Sequence, residues 1–381
     1  MRLGAKRRGW SRIPSLPIFL LGTILSVDWP IIAPSPFSHR QYWCCFEIVA
    51  PNDRFLIARV RLPKHAHPES NATDTDQEYL IQCEVATMEF RRANVGTVPL
   101  QSSRKHSSSN LLEVSTQEHV FAQWTSFQTE LAAFTFPQMG SISQFSTDTG
   151  PIMGAIATSS IDGLPTAGPF HSGWDYFVAV AEGLVAHALQ RKRSDTGSSP
   201  FATLGPLVFR NTVRDTEIFK SSQGPFHINH MDMGIQNILI DDDFNFVAVI
   251  DWELAQSAPW EVNHYPMPIP LISSDTETAE ILYDAGHKAH RNISRQVGAR
   301  LLYRQKFKDA ERALEKRGNS LHYSIAELLE GKASRIYGLS SHTSWSRLGY
   351  GLTGPEAEQH LRMLEEETKG AIIAAIILDD K

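Results

Sequence analysis

Residues Phe226 to Glu253 read FHINHMDMGIQNILIDDDFNFVAVIDWE, and the fold is decided by how this stretch is read. Asn237-Ile-Leu-Ile240 and Phe246-Val-Ala-Val-Ile250 are β-rich runs. Turn formers, Asp241-Asp-Asp-Phe-Asn245, separate them, so the spacing predicts a hairpin. The polar residues stand where the apolar pattern stops. His230 and Asp232 precede the first strand, Asn237 opens it, and Asp251 leaves the second. Pairing of the two strands would bring Asn237 and Asp251 to one end, with Asp232 on the loop leading into it. Three oxygen-bearing side chains then converge.

Such a convergence has a definite chemistry. Hard oxygens suit Mg²⁺, which takes one or two protein carboxylates plus substrate phosphates and waters. Asp232 is placed to orient and deprotonate an acceptor hydroxyl. His230 suits holding the loop by hydrogen bonding better than acid–base work. The acidic turn, Asp241 to Asp243, reads as a solvated hairpin tip, because the spacing and glycine of a calcium-binding EF-hand loop are absent.

Upstream, Cys45 to Val49 and Phe55 to Leu62 read as two strands around Pro51-Asn52-Asp53. Ile57, Arg59 and Arg61 share one face of the second. Glu78 to Arg92 is helical, after a polar segment, His65 to Gln77, read as loop. Glu84 falls inside that apolar helix, where an acid needs a partner; a cation from the preceding strand is the natural one. Gln101 to Asn110 is serine-rich and reads as a flexible linker. Helices are expected over Thr116–Phe134 and over Trp174–Lys192, the latter capped by Ser172. Ser194 to Pro206 reads as loop. Beyond Pro270 the pattern is helical over Glu277–His287, Ser294–Lys316, Ser324–Glu330 and Pro355–Leu378.

The bulk numbers set limits. A chain of 381 residues, 42% of them hydrophobic, can bury two substantial lobes. A net charge of -6 with interspersed signs leaves no basic footprint for nucleic acid. The run Ile18 to Leu25 is too short to span a bilayer, which takes about 20 apolar residues. Two of the three cysteines are adjacent, Cys44 and Cys45, with Cys83 apart; this favours a reducing, cytoplasmic setting over a disulfide framework.

The pattern H-x-D-x-x-x-x-N, His230 to Asn237, followed by Ile250-Asp-Trp-Glu253 and Pro259-Trp-Glu261, resembles the aminoglycoside phosphotransferase-like kinases, their fungal-type members most. The resemblance implies an α+β, protein-kinase-like two-lobe fold. A small β-rich N-lobe would stand beside a large, mainly helical C-lobe carrying the catalytic β-hairpin. The resemblance runs over residues 44–100, as an incomplete N-lobe, and 116–381, as the C-lobe; residues 1–43 read as an atypical leader and 101–115 as a linker. Asp232 carries over as catalytic base with His230 beside it, and Asn237 and Asp251 as Mg²⁺ ligands. Arg59 stands where the phosphate-binding lysine is found, and Glu84 where its helix partner is found. The implied activity is ATP- and Mg²⁺-dependent transfer of a phosphoryl group to a hydroxyl of a small molecule. Two departures matter: no glycine-rich loop precedes Cys44, and the segment after Pro99 is too short and polar for the adenine-binding hinge. They motivate a rival reading, a catalytically impaired pseudokinase or binding module. A metal-dependent phosphate-ester hydrolase is a third.

Overall fold

Thr73 and Asp76 form a reciprocal cap: the Thr73 hydroxyl accepts from the Asp76 N–H at 3.2 Å, and the Asp76 carboxylate accepts from the Thr73 N–H at 2.6 Å. This cap starts the first helix four residues before the expected Glu78, inside the segment read as loop. The computed structural model describes residues 36–39, 43–49, 55–61, 73–95, 114–194, 200–266 and 275–345. The chain divides into two compact units, residues 1–70 and 71–381. The expected helix Pro355–Leu378, residues 1–35 of the leader and residues 101–113 of the linker lie outside the described residues.

The first unit contains an antiparallel sheet in the order β1 (Pro36–His39), β2 (Trp43–Val49), β3 (Phe55–Arg61). Its first strand falls within the stretch set apart as a leader. Arg59 lies opposite Cys45 in the β2–β3 register.

The second unit mixes helices with small antiparallel sheets, an α+β architecture. It begins with α1 (Asp74–Asn94) and α2 (Val114–Ala132). Strand β4 (Thr135–Phe136) follows, then the hairpin β5 (Ile142–Ser146) and β6 (Gly150–Met153). Helix α3 (Gly173–Ser194) starts at Ser172, whose hydroxyl accepts from the Asp175 N–H. Helix α4 (Pro200–Asp215) corrects the expectation of a loop over Ser194–Pro206. Proline fits the first helical position at Pro200, since its missing N–H has no partner there. Pro206 disguises the rest, because an interior proline normally marks a break.

Three strands not foreseen in the sequence form the sheet beneath the site. Strand β7 (Phe226–Asn229) is central, with β4 on one side and β10 (Gln256–Ala258) on the other. Its first three residues are all buried, so it lacks the alternation that reveals a half-exposed strand. The hairpin β8 (Ile238–Ile240) and β9 (Phe246–Val249) follows. Helices α5 (Asp275–Tyr283), α6 (His290–Lys316), α7 (Ile325–Leu328) and α8 (Lys332–Trp345) complete the described part.

Two apolar clusters seat the hairpin. Phe90 of α1, Phe127 and Leu131 of α2, Ile228, Val249 and Trp252 form one. Ile238 and Phe246 join Trp124, Trp260, Tyr303 and Phe307 in the other. Full burial of one such side chain is worth roughly 1.5–3 kcal/mol, so these contacts fix the hairpin firmly. No helix among the described residues is long and apolar enough to cross a membrane.

Candidate functional site

Strand β7 delivers the chain to His230, Met231 and Asp232. His230 is 1% exposed. Its Nε2 donates to the Ile250 carbonyl at 3.0 Å, and its ring meets Trp252 edge-on at 4.6 Å. The histidine therefore ties the loop before β8 to the end of β9. Burial pushes its pKa down to about 4, against the opposing pull of the Ile250 carbonyl and Asp251. A neutral ring suits that anchoring role.

Asp232 is held by two side-chain amides. Asn237 Nδ2 donates to the Asp232 main-chain carbonyl at 2.8 Å and to its Oδ2 at 2.9 Å. Gln236 Nε2 donates to Oδ1 at 3.1 Å. Asn237 is itself buried, on the short 3-10 turn Ile235–Asn237 that leads into β8. The Ile250 N–H donates to the Asn237 carbonyl at 2.9 Å, extending the ladder one step beyond the Ile238–Val249 pair. Asn237 and Asp251 thus flank the same end of the hairpin. Gln236 was not singled out in the sequence; its position beside Asn237 was the available signal.

Backbone strain gathers in the same stretch. Among the described residues, the non-glycine residues with positive φ are Met231 at 63°, Phe244 at 63° and Asp251 at 68°. Each costs roughly 1–2 kcal/mol relative to an ordinary conformation. Two of the three adjoin or form the site: Met231 precedes Asp232, and Asp251 is the carboxylate leaving β9. Such outliers persist where surrounding contacts over-determine them.

The electrostatics are those of crowded acids. Burial pushes the Asp232 pKa up to about 7; the Asn237 hydrogen bond opposes this, and the charges of Asp251 and Glu253 add to it. Glu253 is therefore part of the local charge, although sequence reasoning noted it only as a letter of Asp-Trp-Glu. The opposite end of the hairpin behaves differently. At the tip, Asp241 accepts from the N–H groups of Asp243 and Asn245 and from Asn245 Nδ2, at 2.8 to 3.0 Å. These bonds hold its pKa below the usual carboxylate range.

The residues at the site end fit a hard divalent cation. Asn237 has committed its Nδ2 to Asp232, which leaves its Oδ1 as the group's oxygen acceptor. With the Asp251 carboxylate at the same hairpin end, it would give the small oxygen set that Mg²⁺ favours. Among the described residues no cluster of three or more His, Cys, Asp or Glu is arranged to hold a metal.

Glu84 is 6% exposed on α1, a helix that packs against the turn Trp252–Leu254 directly after Asp251. Arg59 lies on β3, in the first unit, and its side chain is outside the described residues. The structure therefore brings together Asp232, His230, Asn237 and Asp251, and places Glu84's helix beside them.

The architecture is that of an α+β protein with an acid–amide site at one hairpin end. No protein-family profile matches the chain, and no curated protein sequence does. Among solved structures it is similar to a protein named "Macrolide 2'-phosphotransferase type I", at 12% identity and a TM-score of 0.39, over 94% of this chain and 95% of that one.

Proposed function

We propose that the chain is an ATP- and Mg²⁺-dependent phosphotransferase acting on a hydroxyl of a small molecule. The observation that carries this reading is the double hold of Asn237 on Asp232, at the hairpin end that also presents Asp251. In this reading Asp232 orients the acceptor hydroxyl and takes its proton. His230 keeps the loop in place through Ile250. Asn237 and Asp251 hold Mg²⁺, which when bound neutralises phosphate charge and offsets the acids gathered here. Arg59 and Glu84 are the residues assigned to handling the ATP phosphates. We place the protein in a reducing, cytoplasmic setting, supported by its few cysteines and by the buried free thiol of Cys83.

Turnover of ATP against a panel of small alcohols and amino sugars tests the proposal. Phosphoryl transfer to one of them is expected, with loss of turnover in Asp232→Ala. Undiminished activity in that variant would remove the role given to Asp232. The pseudokinase reading rests on the missing glycine-rich loop ahead of Cys44. Mg-ATP at a hundred times its Kd should stabilise the protein by about 2.7 kcal/mol. No shift at millimolar nucleotide favours the pseudokinase or binding module.

A further inference from the structure

Four polar groups behind the base form a chain whose donor and acceptor roles are fully determined. The chain starts at His227, 1% exposed in β7 and stacked on Trp260 at 4.4 Å and 18°. His227 Nδ1 lies 3.1 Å from the Ala258 carbonyl, which can only accept, so Nδ1 carries the proton. In the neutral ring Nε2 is then an acceptor. Asn263 Nδ2 donates to it at 3.0 Å and to the Trp260 carbonyl at 2.8 Å. With its amide thus oriented, Asn263 turns Oδ1 towards Asn229 Nδ2, 3.2 Å away. Asn229 in turn has its Oδ1 left to accept the Met231 N–H, at 2.8 Å. Reversing any one amide would set donor against donor at the next link.

The end of this chain is Met231, whose φ of 63° is unfavourable for a residue with a Cβ. Asp232 leaves the backbone immediately after it. We propose that Asn229 is a positioning residue for the base: it holds Met231 in the left-handed conformation from which Asp232 reaches Asn237, with Asn263 and His227 fixing the direction of its amide. The inference rests on the reading of Asp232 as base. The strand itself does not need this link. Asn229 pairs with Gln256 in the β7–β10 ladder, and His227 and Phe226 pair with β4, through backbone groups that a side-chain change leaves intact.

The test compares Asn229→Ala with the double variant Asn229→Ala/Met231→Gly in the full chain. Glycine takes positive φ without a penalty, so it should replace the lost hydrogen bond only if Asn229 acts through that conformation. The probe is Mg-ATP with water as acceptor. Asn229→Ala is expected to lower kcat by about ten- to a hundredfold, the scale of a slightly misplaced catalytic group, with KM for ATP within twofold of wild type. The added glycine should restore most of the loss. An unchanged kcat, or a loss that glycine leaves uncorrected, overturns the proposal. Hydrogen exchange at the Met231 amide gives a readout independent of activity. Exchange should quicken in Asn229→Ala, and unchanged protection there also overturns it. Absence of turnover in the wild-type chain, with Met231 protection still lost in Asn229→Ala, would refute the catalytic reading and leave the positioning device standing.

Discussion

The two ends of one hairpin hold acids in opposite ways. At the tip, Asp241 accepts three hydrogen bonds from the turn it closes. Its charge is consumed locally, and its pKa falls. Helix α2 secures the same tip: Gln123 donates to the Phe244 carbonyl and accepts from the Phe246 N–H. At the other end Asp232 is half-buried beside Asp251 and Glu253, and its pKa rises to about 7. Its donors are side-chain amides, which can be redirected, and not backbone groups of its own turn. Both acids even share one local device, a carboxamide four residues on: Asn245 for Asp241, Gln236 for Asp232. An acid whose charge is satisfied by its own turn serves structure. An acid crowded by like charge and desolvated is costly to keep, and the proposed role of Asp232 as base would account for that cost.

The most direct way to break this comparison is to remove each acid in turn. Asp232→Ala should lower kcat by about a hundred- to ten-thousandfold, the usual contribution of a positioned proton acceptor. Asp241→Ala should leave kcat within about twofold and lower the melting temperature by a few degrees. Steady-state kinetics and thermal melts on both variants suffice. Equal kinetic effects at the two ends would end the distinction.

Protonation offers a second test on a smaller scale. Burial holds His227 and His230 at about 4, below the unfolded value of 6.5, so both are neutral in the folded chain while the unfolded chain takes up protons. Each contributes stability that is present above pH 6.5 and lost as the pH falls through 4. Asp232 has the opposite sign: its raised value favours the folded chain below pH 4, and that contribution is lost as the pH rises through 7. Between pH 4 and 6.5 these three groups leave one net proton, so stability should rise by about 1.4 kcal/mol per pH unit. Asp232→Asn removes the opposing group. Its slope should double, and at pH 8 it should be more stable than wild type by roughly 1–3 kcal/mol, allowing for the partial solvent access of Asp232. Urea unfolding across pH 4 to 8 measures both. A variant no more stable at pH 8, with an unchanged slope, would show that Asp232 is not the crowded acid.

Much of the hairpin could be read from the sequence, because its signals are local. The β-rich runs, the turn residues between them and the polar residues at their limits place Asn237 and Asp251 together without any tertiary information. The supporting residues were hidden for a physical reason. Strand β7 is buried along its first three residues, so Phe226-His-Ile shows no alternation, and His227 looks like an interruption rather than the root of a polar network. Asn229 and Asn263 act across 34 positions, where spacing carries no information. Helix α4 was read as loop because Pro206 sits inside it. The early start of α1 was legible in principle, since Thr73 and Asp76 form the reciprocal cap, but the polar run around them reads equally well as loop.

The smallest effect is expected at Gln236, and it sharpens what the parallel between the two acids means. Asn245 and Gln236 donate to their aspartates over the same four-residue step, yet the tip has two backbone donors besides, while Asp232 has Asn237. Asn237 already holds both the main-chain carbonyl and Oδ2 of Asp232. Gln236 occupies Oδ1, the oxygen left for an acceptor hydroxyl. Removing it should therefore free that oxygen without displacing the carboxylate. Gln236→Ala is expected to change kcat by less than about fivefold and stability by about 0.5–1 kcal/mol, the worth of one partly exposed hydrogen bond. Measured kcat and urea midpoints decide it. A loss approaching that of Asp232→Ala would mean that Asn237 alone does not hold the base, and that the site end of the hairpin depends on its amide pair as strictly as the tip depends on its turn.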